Sequence, residues 1–193
     1  MTTAAVVLAA GPGSRFHAGR HKLLADFRGR PLGSWALWHA IGAGLDETMV
    51  VTGAEDLAAV LDRWRDVVTV VENLRWAEGQ ATSLQAAVRA AAEKGHHAIV
   101  VGLGDQPLIP PEAWSAVAAS PSPIAVATYA GRRRHPVRLA REVWSLLPAA
   151  GDQGARAVTA QRPELVAEVA CEGEPSDIDT IDDLTRLESM TWS

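Results

Sequence analysis

A chain of 193 residues, 48% hydrophobic and 21% charged, is long enough for one domain with a real core and ordinary in make-up for a globular protein. A net charge of −5 argues against general nucleic-acid affinity, and no apolar run reaches membrane-spanning length. The lone cysteine, Cys171, excludes an internal disulfide and a cysteine-rich metal site, and the absence of a signal-peptide pattern makes a cytoplasmic location the expectation.

Ala4 to Leu8 is a short apolar run suited to a buried parallel strand. Ala9-Ala10-Gly11-Pro12-Gly13-Ser14 comes after it, all small residues and turn formers. Such a loop lets backbone approach a ligand closely, and its successive N–H groups make an anion cradle. Arg15, Arg20, Lys22, Arg28 and Arg30 come next against one acid, Asp26. Cations beyond an anion cradle suit a polyphosphate. The dinucleotide fingerprint fails, because Phe16 stands where a third glycine belongs. The P-loop fails too, since Lys22 lies between His21 and Leu23.

Pro31 opens a helix with Leu32, Trp35, Trp38 or His39, and Ile41 on its apolar face. His39 reads as a core histidine, and most of the seven tryptophans as core or interface anchors. Met49 to Thr52 is the second strand, Glu55 to Trp64 a helix, and Val67 to Val71 the third strand. This alternation predicts a mostly parallel sheet covered on both faces. Right-handed crossovers bring the loops after residues 8, 52, 71 and 101 to one crevice.

The segment from Glu72 to Leu84 leaves the third strand and starts a helix, with Thr82 or Ser83 in its first turn. His96 and His97 are adjacent, so a strand points them to opposite faces and they do not share a metal. Ala98 to Leu103 is the fourth strand and runs into Gly104-Asp105-Gln106-Pro107. A carboxylate at a buried strand's carboxyl end, opposite a basic loop, suits a Mg²⁺ that also takes substrate phosphates.

Pro110 to Val117 is a short helix and Ile124 to Tyr129 a strand. Arg132-Arg133-Arg134 reads equally as a solvated turn or an anion site, and Pro136 fits a sheet edge or strand start. Leu139 to Leu147 and Gln153 to Ala160 read as helices, and Leu165 to Ala170 as the last strand. Thr180 with Asp183 makes a capping-box variant before a final helix. Asp182 and Asp183 suit the helix dipole, whereas Asp179, ahead of the cap, is placed to reach the crevice.

Five separated pieces together resemble the molybdenum cofactor cytidylyltransferases, nucleotidyltransferases similar to molybdopterin-guanine dinucleotide synthases. The signature loop is Leu8-Ala9-Ala10-Gly11, Gly13, Arg15, Lys22 and Pro31-Leu32, with a slightly long spacing between Arg15 and Lys22 that affects residues 16–21. Asn73, Trp76, Gly79 and Ser83-Leu84 form the second piece, with Gly79-Gln80-Ala81 where the family has a Gly-Met-Ser type sequence. Asp105-Gln106-Pro107, the acceptor-side piece made of Gly131 to Val137 and Gly151 to Arg156, and Asp177-Ile178-Asp179-Thr180 complete it.

The resemblance implies one three-layer α/β/α Rossmann-like nucleotidyltransferase domain over 1–193. It implies CMP transfer from CTP to the phosphate of molybdopterin, with release of pyrophosphate. Lys22, Arg15 and Asp105 would be catalytic. Leu8, Ala9, Ala10, Gly11, Gly13, Ser14, Arg15, Lys22, Asn73, Gly79, Ser83 and Asp105 would hold the nucleotide. Arg134, His135, Asp152 and Arg156 would hold the pterin phosphate, and Asp105 and Asp179 the Mg²⁺, with Asp177 as the alternative. Ala10 in place of a second glycine, and the Asp105-Gln106-Pro107 form of the metal-binding signature, point to cytidine. A molybdenum hydroxylase would be the client. The rival readings are another NTP, another phosphorylated acceptor, or an escort that binds without turnover.

Overall fold

The computed structural model describes residues 1–16 and 19–190, so His17 lies outside the described residues. In chain order the elements are β1 (Thr3–Leu8), β2 (Asp26–Phe27), β3 (Arg30–Pro31), α1 (Leu32–Gly42), β4 (Glu47–Thr52) and α2 (Ala58–Leu61). Next come β5 (Thr69–Glu72), α3 (Gln80–Glu93), β6 (Ala98–Leu103), α4 (Pro111–Ala118), β7 (Ile124–Tyr129) and β8 (Arg132–Ala140). The chain closes with α5 (Ala155–Gln161), β9 (Val166–Ala170) and α6 (Ile181–Glu188). No helix among the described residues is long and apolar enough to cross a membrane.

Seven strands form one sheet in the order β5-β4-β1-β6-β8-β7-β9. All pairs are parallel except those of β8, which runs antiparallel to β6 and β7. β1 shows why three layers form. Ala4, Val6 and Leu8 face α3 through Leu84, Ala87 and Val88. Ala5 and Val7 face the other way, toward α1, α2 and α4 through Leu37, Val60 and Trp114. Period-two alternation with both sets apolar describes a strand buried on two faces. Gly102 in β6 has no side chain because the Trp114 ring lies there, 2.5 Å from where a Cβ would stand.

A third, smaller cluster joins distant segments. Phe16, Phe27, Leu32, Leu108, Ile178 and Leu187 are buried together. Trp35 Nε1 donates to Phe27 O at 2.8 Å, and the Arg28 guanidinium donates to Leu187 O at 2.8 Å and Met190 O at 2.7 Å. The α6 carboxyl end is thereby capped by a cation, which suits its exposed carbonyls.

Several boundaries differ from expectation. The helix over 55–64 is only α2 plus a 3-10 turn at Asp62–Trp64, because Asp56 Oδ1 takes the Ala58 N–H and delays the start. Leu139 and Ala140 belong to β8, where they pair with Ile99 and Ala98, so only a 3-10 turn at Arg141–Leu146 comes after them. The helix expected from Gln153 begins at Ala155, after Gly154 with φ 46°. Pro136 is neither at an edge nor at a strand start. It sits inside β8, after a cis peptide, where the β7 register shifts between Val126 and Ala127. Proline is tolerated at such a bulge because the ladder there does not need its missing N–H. The β2–β3 hairpin lies outside the sequence-based expectations; its turn puts Arg28 and Gly29 at φ 53° and 78°.

The tryptophans divide. Trp114 and Trp144 are buried at 1% and 8% exposure, whereas Trp38 is exposed. His39 is half-buried, and burial lowers its pKa despite the nearby Glu112. His96 is buried and His97 exposed, and both lie just ahead of β6.

His96 also anchors the sheet at the edge away from the strand carboxyl ends. Its Nε2 lies 2.7 Å from Glu47 Oε2, and Glu47 Oε1 accepts from Lys94 and Thr69. Burial pushes the Glu47 carboxyl up, but these hydrogen bonds and the Lys94 charge outweigh it and bring the pKa from 4.5 down to about 2. A carboxyl depressed in the folded state adds stability above its unfolded value and loses it as pH falls. Each tenfold change in proton affinity is worth about 1.4 kcal/mol, and solvent screening at the sheet edge takes back a share of it. Glu47→Gln is therefore expected to cost on the order of 1–2 kcal/mol at pH 7. Urea titrations at pH 7 and pH 3 check this, with the gap between wild type and variant shrinking at the lower pH.

Candidate active site

The loop after β1 is pinned at its start to both neighbouring strands. Ala9 N donates to Val51 O and Gly104 N to Leu8 O, each at 2.9 Å. Gly13 has φ 60°, and a Cβ there would lie 3.1 Å from the His21 ring and from Lys22 Cγ. His21 braces the loop from within. Its Nδ1 accepts from Leu23 N at 3.3 Å, and its Nε2 donates to Gly11 O at 2.9 Å. Sequence reasoning assigned His21 no role; its place directly before Lys22 was the available signal.

The brace aims Lys22. Its ammonium lies 2.6 Å from Asp105 Oδ2 and 2.8 Å from Asp179 Oδ1. Arg15 Nη2 lies 2.9 Å from Asp179 Oδ2. Burial pulls the Lys22 pKa down, but the two carboxylates outweigh it and raise it above 10.5, so the cation persists at neutral pH. Asp105 and Asp179 thus converge from 74 residues apart in the chain. Asp177 stands beside them and is turned to Gln106, whose Nε2 donates to Asp177 Oδ1 at 2.6 Å. Burial, then the charges of Asp105 and Asp179, raise the Asp177 pKa.

The donor set fits a hard divalent ion. Asp105 Oδ1 is buried and has no hydrogen-bond partner. Among the described residues no group of three or more His, Cys, Asp or Glu is arranged to hold a metal. Two carboxylates short of a full shell suit an ion that completes its coordination with substrate phosphates and water.

Lys22, Arg15, Asp105 and Asp179 line a cavity of about 270 Å³, together with Leu8 to Ser14, Gly79 and Ser83. Of the expected nucleotide residues, Asn73 is not on the wall. It is buried behind it, where its amide donates to Thr82 Oγ1 and Ser83 Oγ at 2.9 Å each. Asn73 therefore holds Ser83, which is on the wall, from behind. Trp76, Gln80 and Leu103 are wall residues that sequence reasoning did not name as contacts. The loop after β4 supplies no wall residue. Gly53 there packs against Ala10 and Trp76, which would lie 2.8 Å from a Cβ.

A second cavity of about 290 Å³ brings together Arg134, His135, Asp152 and Arg156. It adjoins the first, with Gln80, Leu103 and Asp152 as walls of both. The His135 pKa is lowered to about 4, first by burial and then by Arg156 and Arg134, so the ring is neutral at pH 7. Its positive charge therefore comes from Arg134 and Arg156, beside Arg133.

Gly79 lines the first cavity and lies against the loop that carries Asp152, a wall residue of both. Gly151 N donates to Glu78 O at 2.8 Å and Ala81 N to Gly151 O at 2.9 Å, so the two loops cross in contact. Gly79 has φ 101°, and a Cβ there would lie 2.5 Å from the Gly151 backbone and 2.7 Å from Asp152 Oδ1.

The family described as MobA-like NTP transferase domain matches residues 5–166. Nicotine blue oxidoreductase of Paenarthrobacter nicotinovorans is 33% identical, over 94% of each chain. Purine catabolism protein PucB of Bacillus subtilis is 29% identical, over 91% of this chain and 90% of its own. The crystal structure of Rv0371c from Mycobacterium tuberculosis superposes with a TM-score of 0.83 at 32% identity, covering 98% of this chain and 99% of the other. A second structure of Rv0371c is a complex with manganese, at a TM-score of 0.74 and 29% identity over 98% and 100% of the two chains.

Gly79→Ala forces either an unfavourable φ or separation of the crossed loops, at about 1–3 kcal/mol. Thermal unfolding and ligand titration check it: the expected result is a lower Tm with weaker nucleotide binding in the first cavity, and a disturbed second cavity through the displaced Asp152.

Proposed function

The chain belongs to the MobA-like NTP transferase domain family, and from that premise we propose that it transfers CMP from CTP to the phosphate of a molybdopterin-type acceptor. The observation that carries the reading is the Lys22 ammonium held between Asp105 and Asp179, with the anion loop on one side and the arginine-lined cavity on the other. The acceptor's phosphate oxygen attacks the α-phosphorus in line, the bond to the β-phosphate breaks, and pyrophosphate leaves. An ionised phosphate needs no strong base, so these residues work by positioning and charge neutralisation.

Each residue then has a task. The Gly11 to Ser14 backbone and Arg15 hold the leaving β- and γ-phosphates. Lys22 offsets charge on the α-phosphate, and Ser83 contributes a hydroxyl from the start of α3. Arg134 and Arg156 hold the acceptor's anionic end, while neutral His135 and Asp152 offer hydrogen bonds to its polar edges. Asp105 and Asp179 would hold Mg²⁺, which supplies Lewis-acid neutralisation of the phosphates when bound. The cytidine preference is supported by Ala10, which stands where the guanylyl branch of the family that the signature loop resembles carries a second glycine. A molybdenum hydroxylase as client and a cytoplasmic location complete the proposal.

Pyrophosphate release from each NTP with molybdopterin and Mg²⁺ is the test. Release with CTP alone supports the reading. Release with GTP moves the assignment to the guanylyl branch, and binding without release makes the protein an escort. Lys22→Ala is expected to lower turnover more than ~100-fold with the fold intact. Arg134→Ala and Arg156→Ala are each expected to raise the acceptor KM about tenfold and leave the CTP KM unchanged, at roughly 1.5 kcal/mol per charged contact.

A further inference from the structure

Gln106 lies next to Asp105 in the stretch that sequence reasoning connected with cytidine, yet it lines neither cavity. It is buried, at 3% exposure. Its Nε2 donates to Pro175 O at 3.0 Å and to Asp177 Oδ1 at 2.6 Å. Two backbone bonds run in parallel with this side chain. Ile178 N donates to Asp105 O at 2.9 Å, and Glu174 N donates to Leu108 O at 3.3 Å. The segment from Glu174 to Asp179 is therefore strapped along the end of β6, with Ile178 fully buried in the third cluster.

Among the described residues, the Gln106 amide is the side-chain donor to an acid that faces two others. Asp177 feels the charges of both Asp105 and Asp179. Lys22 and Arg15 are occupied by Asp105 and Asp179, so neither is hydrogen-bonded to Asp177. Remove the Gln106 amide and a half-buried carboxylate loses its donor while two like charges remain beside it. Such a group moves toward water, and Asp179, two residues on, moves with it.

We propose that Gln106 is a positioning residue: by tying Pro175 and Asp177 to the end of β6, it sets the separation of Asp105 and Asp179, and it does not read the base. The proposal rests on the reading of those two acids as the divalent-ion pair. It makes the glutamine a determinant of metal affinity, with nucleotide choice left to the residues on the cavity wall.

The test is Mn²⁺ binding to the full chain without nucleotide, monitored by the EPR signal of the free ion. Gln106→Met keeps the length and removes the donor; Gln106→Asn keeps the amide and is too short to span the gap. Both are expected to weaken Mn²⁺ at least about tenfold, as loss of a group that orients a metal ligand does. Asp177→Asn in the Gln106→Met background removes the repelling charge and is expected to restore most of that affinity, which a simple packing defect would not allow. Among variants with residual turnover, the ratio of CTP to GTP use is expected to stay at the wild-type value. Unchanged Mn²⁺ binding in Gln106→Met, a further loss in the double variant, or a shift in nucleotide preference overturns the proposal. A wild-type protein that takes up no Mn²⁺ overturns the metal pair itself. The clamp is then read from Ile178 amide exchange, expected to be faster in Gln106→Met, and unchanged exchange overturns that too.

Discussion

One ammonium between two carboxylates organises this molecule. Lys22, Asp105 and Asp179 come from three separate segments, and their side chains are only 12–22% exposed. Withdrawing them from water is costly, and each is tolerable there only because the others are present. Arg15 adds a second cation on Asp179 at the open side, where 74% of its side chain is exposed. The result is a charge-balanced cluster at the mouth of a cleft, built from groups that also suit a phosphate and a divalent ion.

The rest of the fold exists to hold those three side chains. β1 and β6 are adjacent and parallel, so the loops bearing Lys22 and Asp105 leave the same edge of the sheet. Asp179 arrives from the far end of the chain. It is fixed by Ile178 in the third cluster, by the Gln106 amide, and by the Thr180–Asp183 capping box that starts α6. Arg28 and Phe27 tie the same helix to the hairpin just beyond Lys22. Segments near both ends of the chain are thus locked together beside the cleft. The antiparallel β8 extends this edge sideways and carries Arg134 and His135 into the second cavity.

Much of this was legible in the residues. The runs at Ala4–Leu8, Ala98–Leu103 and Ile124–Tyr129 are strands with nearly those bounds, because a strand buried on both faces is apolar at every position. The capping box at Thr180 and Asp183 is local chemistry and appears as read. Errors fall where distant contacts overrule local pattern. Leu139 and Ala140 share a helical spacing with the residues up to Leu147, yet sheet partners claim them. Pro136 is accommodated by a register shift in β7, a feature of a strand that precedes it in the chain. Asn73 sits in the motif with Ser83, and only packing shows that it stands behind the wall.

By itself, then, the sequence determined the layered α/β architecture and the identity of the charged side chains, since periodicity, turn chemistry and composition act over short stretches. It did not determine that Asp105 and Asp179, and not Asp177, meet Lys22, that His21 braces the loop, or that Gln106 is bonded to the strap. Those were decided by the tertiary structure. Hydrogen bonds of this kind depend on close approach between segments up to 157 residues apart, and such distances are set by the packing of the whole chain.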